Sequence, residues 1–125
     1  MDSKFKFTAE ESTFVVEAEG RRLRVSYEEV ALPHKKAMTW CKKHGGGDET
    51  VDNLRLLAKY RSQINEELAA LGKDKIASWM WSNETCYHNA RCAFFVGMYN
   101  GDVDYNLKDT HPLRACGFRF ERLKH

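Results

Sequence analysis

The absences in this sequence narrow the field before any motif does. No apolar run approaches the length needed to cross a bilayer. The first seven residues, with Asp2, Lys4 and Lys6 between Phe5 and Phe7, carry charge but no apolar signal-peptide core. The expectation is a chain that stays in the cytoplasm, unless a non-signal route exports it or a particle carries it out. Neither sign of charge dominates, because 20 Lys and Arg stand against 18 Asp and Glu for a formal charge of +2. Nucleic-acid binders show a clustered basic excess. Here Arg21, Arg22, Arg24, Lys35, Lys36, Lys42 and Lys43 are scattered in small groups, as on solvated faces. Neither nucleic acid nor membrane is an expected partner. Proline occurs only at positions 33 and 112, and there are no repeats, linkers or low-complexity segments.

What is present suits one soluble domain. A chain of 125 residues, 42% apolar and 12% aromatic, can bury a core without metal or disulfide support. In the expected compartment Cys41, Cys86, Cys92 and Cys116 stay mostly reduced, and their even number permits two disulfides without arguing for them.

Hydrophobic periodicity orders the chain. Phe5 and Phe7 alternate with Lys4, Lys6 and Thr8, as in a half-buried strand. Strands at 13–18 and 21–27 follow, joined by a tight turn at Glu19 and Gly20. Pro33 opens a helix carrying Ala37, Trp40, Cys41 and His44, and Gly45, Gly46 and Gly47 stop it. Thr50 is an N-cap for a second helical region with a stripe of Leu54, Leu57, Ile64, Leu68 and Leu71, ended by Gly72 at C′. That region is one helix or two with a break near Ser62. From Trp79 the strand pattern returns: 91–96 is apolar on both faces and reads as central. Val103, Tyr105 and Leu107 alternate with Asp102, Asp104, Asn106 and Lys108 after a turn at Asn100 and Gly101, and a last strand spans about 113–120. The fold class is α+β.

Motifs of defined chemistry fail one by one. The triple glycine follows a helix and lacks the Gly-Lys-Ser/Thr ending of a phosphate loop. Asp102, Asp104 and Asn106 imitate the start of an EF-hand, but its sixth and twelfth positions fall on Leu107 and Leu113. Cys86, His88, Cys92 and His111, or Cys41 with His44, offer zinc-type ligands without the paired knuckle spacing of structural sites. No cysteine lies in an activating motif, which leaves a metal-dependent or cysteine-based enzyme as the lesser reading. What remains is the crowd of Asn, Tyr, Asp, His and Cys at 83–111. Tyr and Asn suit adaptable recognition surfaces; a polar strand face with turn residues would show the same composition.

Several segments together resemble a known family. They are Ala37, Trp40 and Cys41, then Ile64, Asn65 and Leu68, then Trp81, Ser82 and Glu84. Gly101 and the run Leu113, Arg114, Ala115 complete the set. In this order and spacing the chain resembles a bacterial domain-of-unknown-function family of the C-type-lectin-like superfold, found in gut Bacteroides-type bacteria and their phages. The family has an Arg-Leu-Pro element where this chain has residues 48–52. The resemblance implies two helical regions on a twisted antiparallel sheet, with the chain ends close together. It also implies that Cys41 and Cys116, at positions where related domains bond a helix to the last strand, are neighbours, here expected as two buried thiols. The calcium-binding triplets of sugar-binding relatives are missing, and no counterpart of the formylglycine-generating oxidases' cysteine pair is found, so neither calcium nor another cofactor is expected. Some relatives are diversified by retroelements that turn Asn codons into Tyr, Asp, His, Cys or Ser, much the set seen at 83–111. The expectation is a single, monomeric, non-enzymatic module binding a protein or glycan through Tyr87, His88, Asn89, Asp104, Tyr105 and Asn106. Trp40, Leu57, Ile64, Trp81, Phe94 and Phe118 would form its framework. The alternative is a structural or receptor-binding component of a phage or surface particle.

Overall fold

The computed structural model describes residues 5–109 and 112–122. In chain order it begins with β1 (Lys6–Ala9), β2 (Thr13–Ala18), β3 (Arg21–Ser26), β4 (Val30–Leu32) and α1 (His34–Lys43). Then come α2 (Val51–Lys59), α3 (Arg61–Ala70), β5 (Trp79–Thr85), β6 (Cys92–Gly97), β7 (Val103–Leu107), β8 (Leu113–Ala115) and β9 (Phe118–Arg122). The protein is α+β, with three helices and two mostly antiparallel sheets.

The first sheet runs β1-β2-β3-β9, so its N-terminal strands and the C-terminal strand share one sheet. Val16 pairs with Leu23, Phe14 with Val25 and Val25 with Phe118, which aligns their side chains on one buried face. The turn between β2 and β3 needs positive φ twice, and Glu19 (53°) and Gly20 (76°) supply it. Glu19 is not left to bear that conformation alone: its carboxylate accepts from Tyr60 Oη at 2.9 Å and pairs with Lys59. The second sheet runs β4-β8-β5-β6-β7, antiparallel except for β5 and β8, which are parallel and matched at Met80 and Arg114.

Two clusters form the core. The larger joins the inner face of the first sheet to Leu54, Leu56 and Leu57 of α2, Ile64 and Leu68 of α3, and Met80, Val96 and Met98. The smaller lies where Ala37 and Cys41 of α1 meet Trp81, Ala93 and Ala115. Because Met80 and Trp81 are successive residues on β5, they face opposite ways. The second sheet is therefore buried at this point on both sides.

Several sequence expectations change. The single sheet becomes two. The second helical region is two helices, broken at Tyr60, whose φ and ψ of −106° and 19° cap one and start the other. Thr50 is the N-cap, its Oγ1 accepting from Asn53 N at 3.2 Å, and Gly72 stands at C′ with φ 72°. Leu71 belongs to the apolar stripe by spacing yet is 43% exposed, because the helix ends there. Strand β4 is too short for periodicity to reveal it. The last strand is divided at Cys116 and Gly117, so its first part closes the second sheet and its last part the first. Strand β6 is flanked by β5 and β7 but is only one strand from the edge, and its Phe94 and Phe95 are half-buried. Of the framework residues, Leu57, Ile64, Trp81 and Phe118 are buried, whereas Trp40 is half-buried with its ring stacked on His44 at 3.8 Å.

The loop after α1 joins these parts. A Cβ on Gly46 would lie 2.8 Å from Gly117 Cα, and one on Gly117 would lie 2.9 Å from the Cys41 carbonyl oxygen. The glycines allow backbone contact between this loop and the break in the last strand. Beside them Glu49 is only 2% exposed, and its Oε2 accepts from Gly47 N at 3.0 Å and Phe118 N at 2.9 Å. Burial raises its pKa above the usual carboxylate value. Replacing Glu49 by Ala leaves the buried Phe118 N–H without an acceptor, a loss of roughly 1–3 kcal/mol, while the exposed Gly47 N–H can turn to water. Glu49→Gln retains an acceptor oxygen, so urea denaturation should show a much smaller loss; equal losses for both variants would contradict the assignment.

Candidate functional site

A closed hairpin end presents the most exposed aromatic side chain among the described residues. Cys86 N donates to Cys92 O at 3.0 Å, one position beyond the pairing of Thr85 with Ala93. Inside this closure Asn89 makes a turn, its Oδ1 accepting from Arg91 N at 2.9 Å and its carbonyl from Cys92 N at 3.0 Å. Residues 87–91 are all exposed. Tyr87 stands out at 94% exposure, with its ring edge-on to Phe94 at a centroid distance of 5.9 Å.

The neighbouring strand extends this cluster. Phe94 on β6 pairs directly with Tyr105 on β7, and their rings meet at 6.4 Å and 85°. His88 packs edge-on against Tyr105 at 4.9 Å. Tyr87, Phe94, Tyr105 and His88 thus form one chain of edge-to-face aromatic contacts. Val103 and Leu107, 41% and 37% exposed, share the pleat of Tyr105 and widen the patch.

The six residues expected to form the recognition face do not share it. Tyr87, His88 and Tyr105 come together. Asn89 shapes the loop. Asp104 and Asn106 alternate with Tyr105 and so project from the opposite side of β7. Their Oδ1 atoms accept from the next backbone N–H groups, those of Tyr105 and Leu107, each at 2.8 Å. Gly97 N donates to Asp102 O and Lys108 N to Arg91 O, both at 2.8 Å, so Asp104 and Asn106 point their backbone groups toward β6. The N–H groups of Tyr105 and Leu107 therefore point outward from the sheet edge, where these side chains satisfy them. Such occupation blunts an edge that would otherwise invite another strand.

Phe94, assigned to the framework from sequence, belongs to the surface cluster. The turn at Asn100 and Gly101 carries the signal that would have found it. Gly101 takes φ 76°, Gly97 N bonds Asp102 O, and counting back along the hairpin from there places Phe94 opposite Tyr105.

Support for this strand comes from a bulge in β5. Trp81 pairs with Phe95 and Thr85 with Ala93, which leaves Ser82, Asn83 and Glu84 opposite Phe94 alone. Ser82 Oγ donates to Phe94 O at 2.8 Å, and the Ser82 carbonyl accepts from His34 Nε2 at 2.7 Å. Asn83 Nδ2 donates to Gly47 O at 3.1 Å, and Glu84 Oε2 accepts from Val51 N at 2.7 Å at the start of α2.

The cysteines fall into two pairs, all four free and buried. Cys41 Sγ donates to Cys116 O at 3.3 Å, so the two expected neighbours meet as thiols in the core. Burial, aided by nearby Glu49, pushes the Cys41 thiol up to about 12. Among the described residues no group of three or more His, Cys, Asp and Glu converges as a metal site. His111 lies outside the described residues. A cleft of 430 Å³ lined by Glu19, Arg21, Asp52, Arg55, Lys59 and Tyr99 uses most of its charge internally, with Arg21 on Asp52 at 2.6 Å and Lys59 on Glu19. No helix of the described residues is long and apolar enough to cross a membrane.

Compared with protein-family models, with curated proteins and with solved structures, the chain matches none.

The His34 bond makes the hairpin's support sensitive to pH. Burial lowers the His34 pKa from its ordinary 6.5, so the folded state favours the neutral ring that donates to Ser82 O. Its contribution is complete above the ordinary value and is lost as pH falls from there toward the depressed folded value. Glu29 and Glu49, raised by burial, act in the opposite sense and lose stability as pH climbs above the carboxylate range. The test is a comparison of urea midpoints from pH 7.5 to 5. Wild type should lose more stability than His34→Gln, whose amide can donate the same bond without titrating; parallel curves would rule out His34 as the source.

Proposed function

We propose that this chain is a non-enzymatic, calcium-independent binding module of the C-type-lectin-like kind, with Tyr87, His88, Phe94 and Tyr105 as its recognition surface. The observation that carries the reading is the exposure of Tyr87 at 94% at the head of a connected aromatic cluster. Soluble proteins rarely expose contiguous apolar patches without an interaction to serve. Tyrosines supply large contact areas at low entropic cost, and their rings suit both protein surfaces and the C–H faces of sugars. The support beneath is stiff, because β6 is bonded on both sides and the bulge at Ser82 anchors its backbone.

The lectin-like part of the reading rests on layout. The N-terminal strands and the C-terminal strand share a sheet, the first helix lays Cys41 beside Cys116, and Trp81 leads the strand that opens the second sheet's hairpins. Asp104 and Asn106 support the calcium-independent reading, since their oxygens serve the edge of β7.

Screening the protein against a glycan array and a panel of cell-surface proteins tests the proposal. Tyr87→Ala combined with Tyr105→Ala should keep the wild-type circular dichroism and weaken any ligand found by roughly tenfold or more, as for truncated aromatic anchors. A ligand bound equally well by the double variant would place recognition elsewhere.

A further inference from the structure

We propose that Cys86 and Cys92 are a reversible dithiol–disulfide pair that staples the loop bearing Tyr87 and His88. The two residues are directly opposed, since Thr85 pairs with Ala93 and Cys86 N then bonds Cys92 O at 3.0 Å. Cys92 N turns back to Asn89 O, so the two residues share one of the two bonds of a hydrogen-bonded antiparallel pair, a pair whose Cα atoms lie about 5.5 Å apart. That falls within the roughly 4.4–6.8 Å that a disulfide spans. Both side chains are buried, at 4% and 5% exposure, on this one closed end of the hairpin.

The second cysteine pair differs in each respect. Cys41 directs its sulfur to the backbone carbonyl of Cys116, and both lie in the core at 0% and 2% exposure. Cys86 and Cys92, at 4% and 5%, lie under a loop whose residues 87–91 are all exposed and which bonds mainly to itself. Opening that loop uncovers one pair without disturbing either core.

The chemistry needs an oxidant, and a low-molecular-weight disulfide such as glutathione disulfide serves. One thiol loses its proton and attacks a glutathione sulfur, forming a mixed disulfide and releasing one glutathione thiolate. The second cysteine thiolate then attacks the protein sulfur of that mixed disulfide and releases the other. Two thiols are oxidised to one disulfide, and glutathione disulfide is reduced to two glutathione molecules that take up the two protons. The product closes a short covalent ring around Tyr87, His88 and Asn89. It fixes the entry and exit of the loop whether or not that loop carries a ligand.

Arg91 lies between the two cysteines and provides the readout. The native chain is treated with glutathione disulfide, quenched with acid, unfolded in the presence of an alkylating reagent that caps its remaining thiols, and digested with trypsin. Cleavage after Lys75, Arg91 and Lys108 gives fragments 76–91 and 92–108, which hold Cys86 and Cys92 separately. These should travel as one linked peptide and separate on reduction, while Cys41 and Cys116 are recovered alkylated, never joined to glutathione or to another cysteine. In Cys92→Ser the same treatment should leave a single glutathione on Cys86. Recovery of 76–91 and 92–108 unlinked would overturn the proposal, as would Cys86 joined to Cys41 or Cys116 in either protein.

Discussion

The buried carboxylate of Glu49 is the point on which the arrangement of layers depends. It holds Phe118 N at the start of the last strand and Gly47 N in the loop after the first helix, while its carbonyl accepts from Asn83 N. Asp48 adds a second tie, its side chain accepting from Phe120 N at 3.2 Å. Next to them Thr50 and Glu84 satisfy the first N–H groups of α2. One loop thus connects both sheets and both helical regions. A carboxylate left in such a place carries a desolvation cost, visible in its raised pKa, and the bonds it accepts offset that cost. Residues 48–52 are where the structure concentrates its polar connections.

Much of the fold was legible because it follows from short-range rules. Period-two alternation located β2 and β3, and the positive-φ turn at Glu19 and Gly20 fixed their register. Thr50 and Gly72 marked real helix ends. What escaped was long-range. Nothing local in Val30, Ala31 and Leu32 announces a strand, since their pairing with Leu113, Arg114 and Ala115 lies far away in sequence. The break at Gly117 is likewise set by the approach of Gly46 and the bond that Gly117 N donates to Ser26 Oγ, not by the strand's own residues.

The polar crowd at 83–111 divides by chemistry once its partners are known. Asn83, Asn89, Asn100 and Asn106 each bond backbone groups, mostly within two residues, and Asp104 does the same. They behave as short polar side chains do at turns and edges. Composition alone could not separate them from Tyr87, His88 and Tyr105, whose rings are joined through contacts with Phe94 and with one another. The distinction is one of direction along a strand, which a list of residue types does not contain.

The placement of Tyr87 has a consequence for how this molecule can change. Its side chain is 94% exposed and touches Phe94, while the two cores contain neither residue nor Tyr105. Substitution there alters what the surface offers while leaving the packing that makes the domain fold. On the binding reading proposed above, stability and binding preference are set by separate groups of residues, and a lineage carrying this scaffold could exchange one partner for another without first acquiring compensating changes inside.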